Sequence, residues 1–218
     1  MREAGGSRGA DGPHLLDDVL AVSRETRERL GIYVGLVEKW QKSQNLVAPS
    51  TLPQIWRRHV VDSAQVHAIR PDLTRWVDFG SGAGFPGLVT AILLTGVPGA
   101  AVHLVESNRG KAAFLRAVAR ETGAPAIVHD ERIDSFVKDF AETVDGVSAR
   151  ALASLVQLCG WAAPFVARGA VAVFHKGQDF GVELAEATLS WDLDLVEHRS
   201  KTEPTGRLVE VRKIVSRE

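Results

Sequence analysis

The sequence predicts an α/β fold in which a mainly parallel sheet is closed by an antiparallel pair and preceded by a helical N-terminal segment. Three observations predict it. Beyond Pro71, short apolar runs alternate with stretches of helical periodicity, the pattern of strands joined by crossover helices. The first of these runs ends in Asp78 and a glycine-rich turn, Gly80-Ser81-Gly82-Ala83-Gly84-Phe85-Pro86-Gly87. The last two flank a polar turn containing Pro204 and Gly206, which pairs them antiparallel.

Residues 1–13 are glycine-rich, carry Arg2, Glu3, Arg8 and Asp11, and lack the apolar stretch of a signal peptide. They are expected to form a disordered tail. From 14 to 70 the pattern is helical, with Leu16, Val19 and Leu20, then Leu30, Val34 and Val37, at three- and four-residue intervals. Residues 45–53 interrupt it. A further helix is expected to begin near Pro53, because proline suits a first turn, and to run through Ile55, Val60 and Val61. Residues 71–218 form the α/β domain. Strands are expected at 76–79, 102–105, 126–129, 146–149 and 170–175, and the closing pair at 193–197 and 208–214. Helices are expected at 86–94, 108–121, 133–140, 155–166 and 180–189. Ser107 or Asn108 can cap the second of these and Gly123 can end it.

Composition narrows the functional classes. A chain of 218 residues buries a substantial core and suits one α/β domain with an appendage. Lys and Arg number 26 against 27 Asp and Glu, a formal charge of -1, so no global positive field advertises nucleic-acid binding and any such site is a local patch. Cys159 is the only cysteine, which excludes an internal disulfide and any multi-cysteine metal site and fits a reducing cytoplasm. His14, His67, His103, His129 and His198 are scattered without ligand spacing, so no metal is expected. The longest apolar run, 88–97, is too short for a membrane span and stops at Pro98-Gly99.

The chemistry concentrates in the glycine-rich turn and in Glu106, which ends the next apolar run. A carboxylate at that separation can accept both hydroxyls of a ribose, which marks the site as one for a nucleoside-bearing cofactor. Two registers compete. Read from Gly80, the turn is Gly-x-Gly-x-Gly (Gly80, Gly82, Gly84) preceded by Asp78, as in S-adenosyl-L-methionine-dependent methyltransferases. Read from Gly82, it is Gly-x-Gly-x-x-Gly, the dinucleotide fingerprint. The first is favoured, since a pyrophosphate seeks an electropositive helix start and Asp78 sets a negative charge close to it, whereas a cationic sulfonium meets no such objection. Five parallel strands closed by an antiparallel pair is also the usual Rossmann-like plan of class I methyltransferases.

Several segments together resemble the RsmG (GidB) family, which methylates N7 of a guanine in small-subunit (16S) ribosomal RNA. They are Asn45-Leu46, Arg58-His59-Val60-Val61-Asp62-Ser63, the run from Asp78 to Gly87, Glu106 to Leu115, Ser148 to Ser154, and His175-Lys176-Gly177. The resemblance spans nearly all of the chain after the tail. It implies a cofactor pocket built from Gly80, Phe85, the pair Ile133 and Asp134, and Arg150, with S-adenosyl-L-methionine as cofactor. It also favours Arg58, His59 and Lys213 as RNA contacts. The chain departs from the family's usual wording at Phe85 (leucine in many members), at Ala149 before Arg150, and at Val47 after Asn45-Leu46.

Chemistry gives these residues roles. Gly80 lets the main chain approach the methionine portion, Phe85 forms an apolar wall, Asp134 or the adjacent backbone hydrogen-bonds the adenine amino group and Glu106 takes the ribose. Arg150, at the carboxyl end of a strand, faces either the methionine carboxylate or an RNA phosphate. Lys176 ends a strand at the same edge and is assigned an RNA phosphate; Arg150 and Lys176 are the candidate catalytic pair. The cluster of Arg199, Lys201, Arg207, Arg212 and Lys213 reads mainly as a solvated strand face. Trp40, Trp76, Trp161 and Trp191 read as core, and Cys159 as a packing residue. The expectation is a cytoplasmic, monomeric RNA methyltransferase that binds no membrane and acts on small-subunit ribosomal RNA or the assembled small subunit. The alternatives are a nicotinamide-dependent oxidoreductase using the Gly82 register, a noncatalytic RNA-binding factor with the same fold, and a methyltransferase of proteins or small molecules.

Overall fold

A computed structural model describes residues 10–217. Helix α1 (Arg24–Gln44) opens with Ser23 accepting from the Thr26 amide and closes at Asn45 with φ 43°, a left-handed position that asparagine tolerates better than most residues. A 3-10 helix, Pro49–Gln54, follows and leads into a π-helical stretch, Trp56–Val61, continuous with α2 (Asp62–Ile69). The single helix expected from Pro53 is therefore two unlike pieces. The expected tail also ends earlier than residue 13: Asp11 accepts from the amides of Trp56 and Arg57 at 2.8 and 2.9 Å, and Pro13–Asp18 forms a 3-10 helix. Residues 1–9 of that expected tail lie outside the described residues.

The sheet comprises β1 (Arg75–Phe79), β2 (Ala101–Val105), β3 (Ala126–His129), β4 (Gly146–Arg150), β5 (Val171–Lys176), β6 (Trp191–Arg199) and β7 (Arg207–Ser216). Between them lie α3 (Gly87–Leu93), α4 (Arg109–Thr122), α5 (Ile133–Asp139), α6 (Leu155–Val166) and α7 (Phe180–Ser190). Strand order is β3-β2-β1-β4-β5-β7-β6, parallel through β5, with β7 antiparallel to both β5 and β6. The hairpin was legible in the sequence; its insertion with β7 inside and β6 at the edge was not.

Alternation along each strand separates two cores. Trp76 and Leu104 pack on one face with α1, α3 and α4, while Val77, Phe79 and Val147 pack on the other with α5, α6 and α7. The N-terminal segment belongs to the first core: Leu30, Tyr33, Val37 and Val60 are buried in the same cluster as Trp76, Leu88 and Phe114. Strand order reverses direction between β1 and β4, and the carboxyl ends of those two strands form the crevice where open α/β sheets bind ligands.

Candidate active site

A cavity of about 550 Å³ lies at that crevice. Gly80, Ser81, Gly82, Ala83 and Phe85 line it from the loop after β1, Glu106 and Lys111 from the β2 side, Ile133 and Asp134 from the start of α5, and Arg150, Ala151 and Leu152 from the end of β4. Gly80 has φ 61°, and a Cβ there would come within 2.5 Å of Leu152 Cδ1, so conformation and space both demand glycine. Asp78 and Gly84 shape the cavity without lining it. Asp78 is fully buried beneath the loop, where Ser148 Oγ donates to its Oδ1 at 2.6 Å; burial, against that hydrogen bond, pushes its carboxyl up to about 6. Its Oδ2 lies against Gly87 without a hydrogen-bond partner. A carboxylate packed into the start of α3 is at odds with a pyrophosphate there, and so with the Gly82 register.

Glu106 is held from both sides. Its Oε2 accepts from the Gly82 amide at 2.8 Å and its Oε1 from the Asn108 amide at 2.7 Å, while Asn108 caps α4 through the Lys111 amide. Each oxygen keeps a further lone pair for another donor. Asp134 accepts from the Trp161 indole at 2.8 Å. Trp161 therefore lines the cavity rim, where the sequence reading placed it in the core.

The N-terminal segment completes the walls. Tyr33, fully buried, donates its hydroxyl to the Ala83 carbonyl at 2.6 Å and packs its ring 5.1 Å from that of Phe85. Gln41 accepts from the amides of Leu46 and Val47, which line the cavity, and donates to the Val47 carbonyl. Nothing in the sequence pattern distinguished Tyr33 or Gln41 from other residues of an amphipathic helix.

Arg150 sits where this cavity meets a second one, of about 290 Å³, lined among others by Arg58, Asp62, His175, Lys176 and Arg207. His59, Arg150 and Ala151 line both. Arg150 donates to the Arg58 carbonyl and to Asp62 Oδ2, each at 3.2 Å, and to His59 Nδ1 at 2.9 Å, and lies over the Phe85 ring at 5.2 Å. The wide turn of the π-helical stretch presents the Arg58 carbonyl and the His59 ring to this one guanidinium. His59 stacks on Phe85 at 5.0 Å, and burial, with Arg150 beside it, lowers its imidazole to about 4. Asp62 is held below the usual carboxylate range: burial alone would raise its pKa, but His175 and Arg150 beside it and hydrogen bonds from Thr202 and Arg150 outweigh that. His175 donates to the Asp62 carbonyl at 3.0 Å and is kept neutral by burial. Ala151 has φ 51°, a strained position for alanine at the junction of the two cavities.

Two expected RNA contacts are already held in ion pairs. Lys176 does not present its ammonium to the edge: the side chain is 6% exposed, pairs with Glu183 at 2.5 Å and donates to the Ala153 carbonyl. Glu183 in turn accepts from the Leu155 amide, so the pair fastens α7 to the start of α6 and occupies the ammonium that the sequence reading offered to an RNA phosphate. Lys213 pairs with Asp192 at 2.6 Å far along β7, beyond the register at which Val211 meets Ala172 near the start of β5, at the opposite end of the strands from the cavity. Arg58 and His59 do reach the second cavity, although Arg58 is paired with Glu203 at 2.8 Å.

An order of strands with β7 between β5 and β6, a glycine-rich turn after β1 and a braced carboxylate after β2 define a class I methyltransferase fold with a site suited to an adenosyl cofactor. Two solved structures share the fold: cofactor-bound Rv0187 from MTB, with TM-score 0.60 at 15% identity over 92% of this chain and 95% of that one, and a mutant of MtNAS in complex with S-adenosylmethionine, with TM-score 0.56 at 18% identity over 92% and 78%. The family described as rRNA small subunit methyltransferase G (GidB) matches residues 26–208, and the chain belongs to it. Its relatives include the ribosomal RNA small subunit methyltransferase G of Bradyrhizobium sp. (strain BTAi1), 52% identical over 190 residues, 87% of this chain and 86% of the relative. That of Parvibaculum lavamentivorans is 49% identical over 207 residues, covering 92% and 91%.

Proposed function

We propose that the protein transfers a methyl group from S-adenosyl-L-methionine to N7 of a guanine in small-subunit (16S) ribosomal RNA, as free RNA or in the assembled subunit, in the cytoplasm. The observation that carries this reading is Glu106, held by the amides of Gly82 and Asn108 on the floor of the cavity, in a chain of this family. The lining suits the cofactor: the Gly80 main chain would admit the methionine portion, Phe85 would wall it, Glu106 would accept the ribose hydroxyls and Asp134, which accepts from Trp161, would face the adenine. When bound, the cofactor would supply an electrophilic sulfonium methyl.

Guanine N7 presents a lone pair and no proton, so attack requires no base. The junction agrees with that chemistry. Nδ1 of His59 accepts from Arg150 and its other nitrogen contacts Thr51, which leaves neither free to take a proton. The work left to the protein is placement: Arg150 and Phe85 set the wall between the cavities, and the acceptor strand enters from the second cavity, beside Arg58 and His59. To test this, labelled methyl from S-adenosylmethionine is offered to small and to large ribosomal subunits. Label in the small subunit alone supports the reading; label in neither, with cofactor binding intact, overturns it.

A further inference from the structure

With Lys176 paired inside the fold and Lys213 at the far end of β7, the RNA backbone needs other partners, and the end of the β6–β7 hairpin carries them. Lys176, Arg207 and Arg199 lie in register across three neighbouring strands at the carboxyl edge, Lys176 opposite Arg207 and Arg207 opposite Arg199. Residues so paired share a face of the sheet, with strands about 4.8 Å apart. Glu183 neutralises Lys176 and Glu197 pairs with Arg207 at 2.9 Å, so the row keeps an uncompensated charge at its outer end. Arg199 is exposed and its guanidinium has no hydrogen-bond or ion-pair partner among the described residues.

Three observations point to a missing anion. Like charges directly opposite on adjacent strands destabilise a sheet, yet Arg199 and Arg207 occupy such a pair. The Nε of Arg207 is buried with no acceptor, although the guanidinium lies 5.3 Å over the Phe180 ring and uses Nη1 on Glu197. Both arginines line a hollow with Glu197, which Arg207 already pairs, and with His198 and Pro204; Arg207 also lines the second cavity, so the pair stands beside the acceptor entrance. We propose that Arg199 and Arg207 form a phosphate clamp for the RNA strand that leads the target base into the second cavity. The clamp rests on ribosomal RNA being the acceptor. A phosphate between the two guanidiniums would screen their repulsion and can accept from them in a charge-assisted, forked geometry that lysine cannot reproduce.

The test compares full-length wild type, Arg199→Gln, Arg207→Lys and Lys138→Gln, the last an equal loss of charge in the last turn of α5, away from this edge. Subunit binding is measured across a salt series, with cofactor affinity by calorimetry and thermal midpoints recorded for each. Arg199→Gln should weaken subunit binding severalfold, lower the salt slope by about 0.7, leave cofactor affinity as in wild type, and keep or raise the thermal midpoint. Arg207→Lys, which keeps charge but loses the fork, should weaken binding without changing the slope. Lys138→Gln should match wild type. The clamp is overturned if Arg199→Gln binds subunits with wild-type affinity and slope, or if its midpoint drops and cofactor affinity falls with it, which would make the arginine structural. Failure of the wild type to methylate small subunits would instead sink the acceptor assignment, and the two failures are thereby distinguished.

Discussion

Arg150 donates to Nδ1 of His59 across 2.9 Å, and that contact decides the protonation state of the imidazole. An arginine has no acceptor, so Nδ1 must be bare and the proton sits on Nε2, which donates to Thr51 Oγ1 at 2.8 Å; the Thr51 hydroxyl in turn donates a hydrogen bond to the Ala48 carbonyl. The relay ties the β4 end to the loop that carries Leu46 and Val47, and it holds only while His59 is neutral.

A pH dependence of stability follows. The folded pKa of His59, about 4, is depressed below its unfolded value near 6.5, first by burial and then by Arg150. Between those values the unfolded chain binds the extra proton, so this contribution is complete above about pH 6.5 and is lost as pH falls toward 4. Denaturant unfolding from pH 7 down to 4.5 should show a smaller loss of stability in His59→Asn, which cannot charge, than in wild type. Equal losses in the two proteins would contradict the relay.

Replacing Gly80 tests the cradle. Alanine at φ 61° costs about 1–2 kcal/mol of backbone strain, and its methyl must displace Leu152 at the cavity wall. Gly80→Ala is expected to lower the thermal midpoint modestly and to weaken cofactor binding by about tenfold or more, equivalent to 1.4 kcal/mol. Wild-type cofactor affinity in this variant would place the methionine portion elsewhere.

Glu106 is asked to do two things with one carboxylate. In Glu106→Gln one oxygen remains an acceptor and the other becomes an NH₂ group facing a backbone amide, so both the loop brace and the diol contact weaken. A charged hydrogen bond is worth about 1.5–3 kcal/mol, which converts to roughly 10- to 150-fold in cofactor Kd. Calorimetry that finds less than a threefold change would remove Glu106 from the ribose.

Lys176→Met separates a structural lysine from an RNA-binding one. Glu183 would be left against the Leu155 amide without its cation, at a cost of about 2 kcal/mol. The thermal midpoint should fall while the salt slope of subunit binding stays as in wild type. A reduced slope with an unchanged midpoint would restore the phosphate role.

The sheet was legible because each strand leaves a local trace: apolar runs ending in Asp78, Glu106 and Arg150, separated by capped helices. Asn108 and Gly123 bound α4 as their residue types dictate. The glycine-rich turn and Glu106 were readable for the same reason, since they depend on positions close in sequence to strand ends. What escaped was long-range. Tyr33 meets Ala83 fifty residues away, and Glu183, which holds Lys176, is itself fixed by the Leu155 amide 28 residues earlier. A lysine at a strand end looks the same in sequence whether it faces solvent or a buried carboxylate. The π-helical stretch was invisible too, as its residues fit an ordinary amphipathic pattern with Trp56, Val60 and Val61 buried.

The central claim is methyl transfer to guanine N7, and one measurement addresses it most directly. Small subunits from cells lacking this protein are incubated with the enzyme and labelled S-adenosylmethionine, and the RNA is then cleaved chemically at 7-methylguanine. The account predicts label in one guanine of the small-subunit RNA, with cleavage at that same nucleotide. Label without cleavage would move the reaction to another atom, and no label in either subunits or stripped RNA, with cofactor bound, would contradict the account.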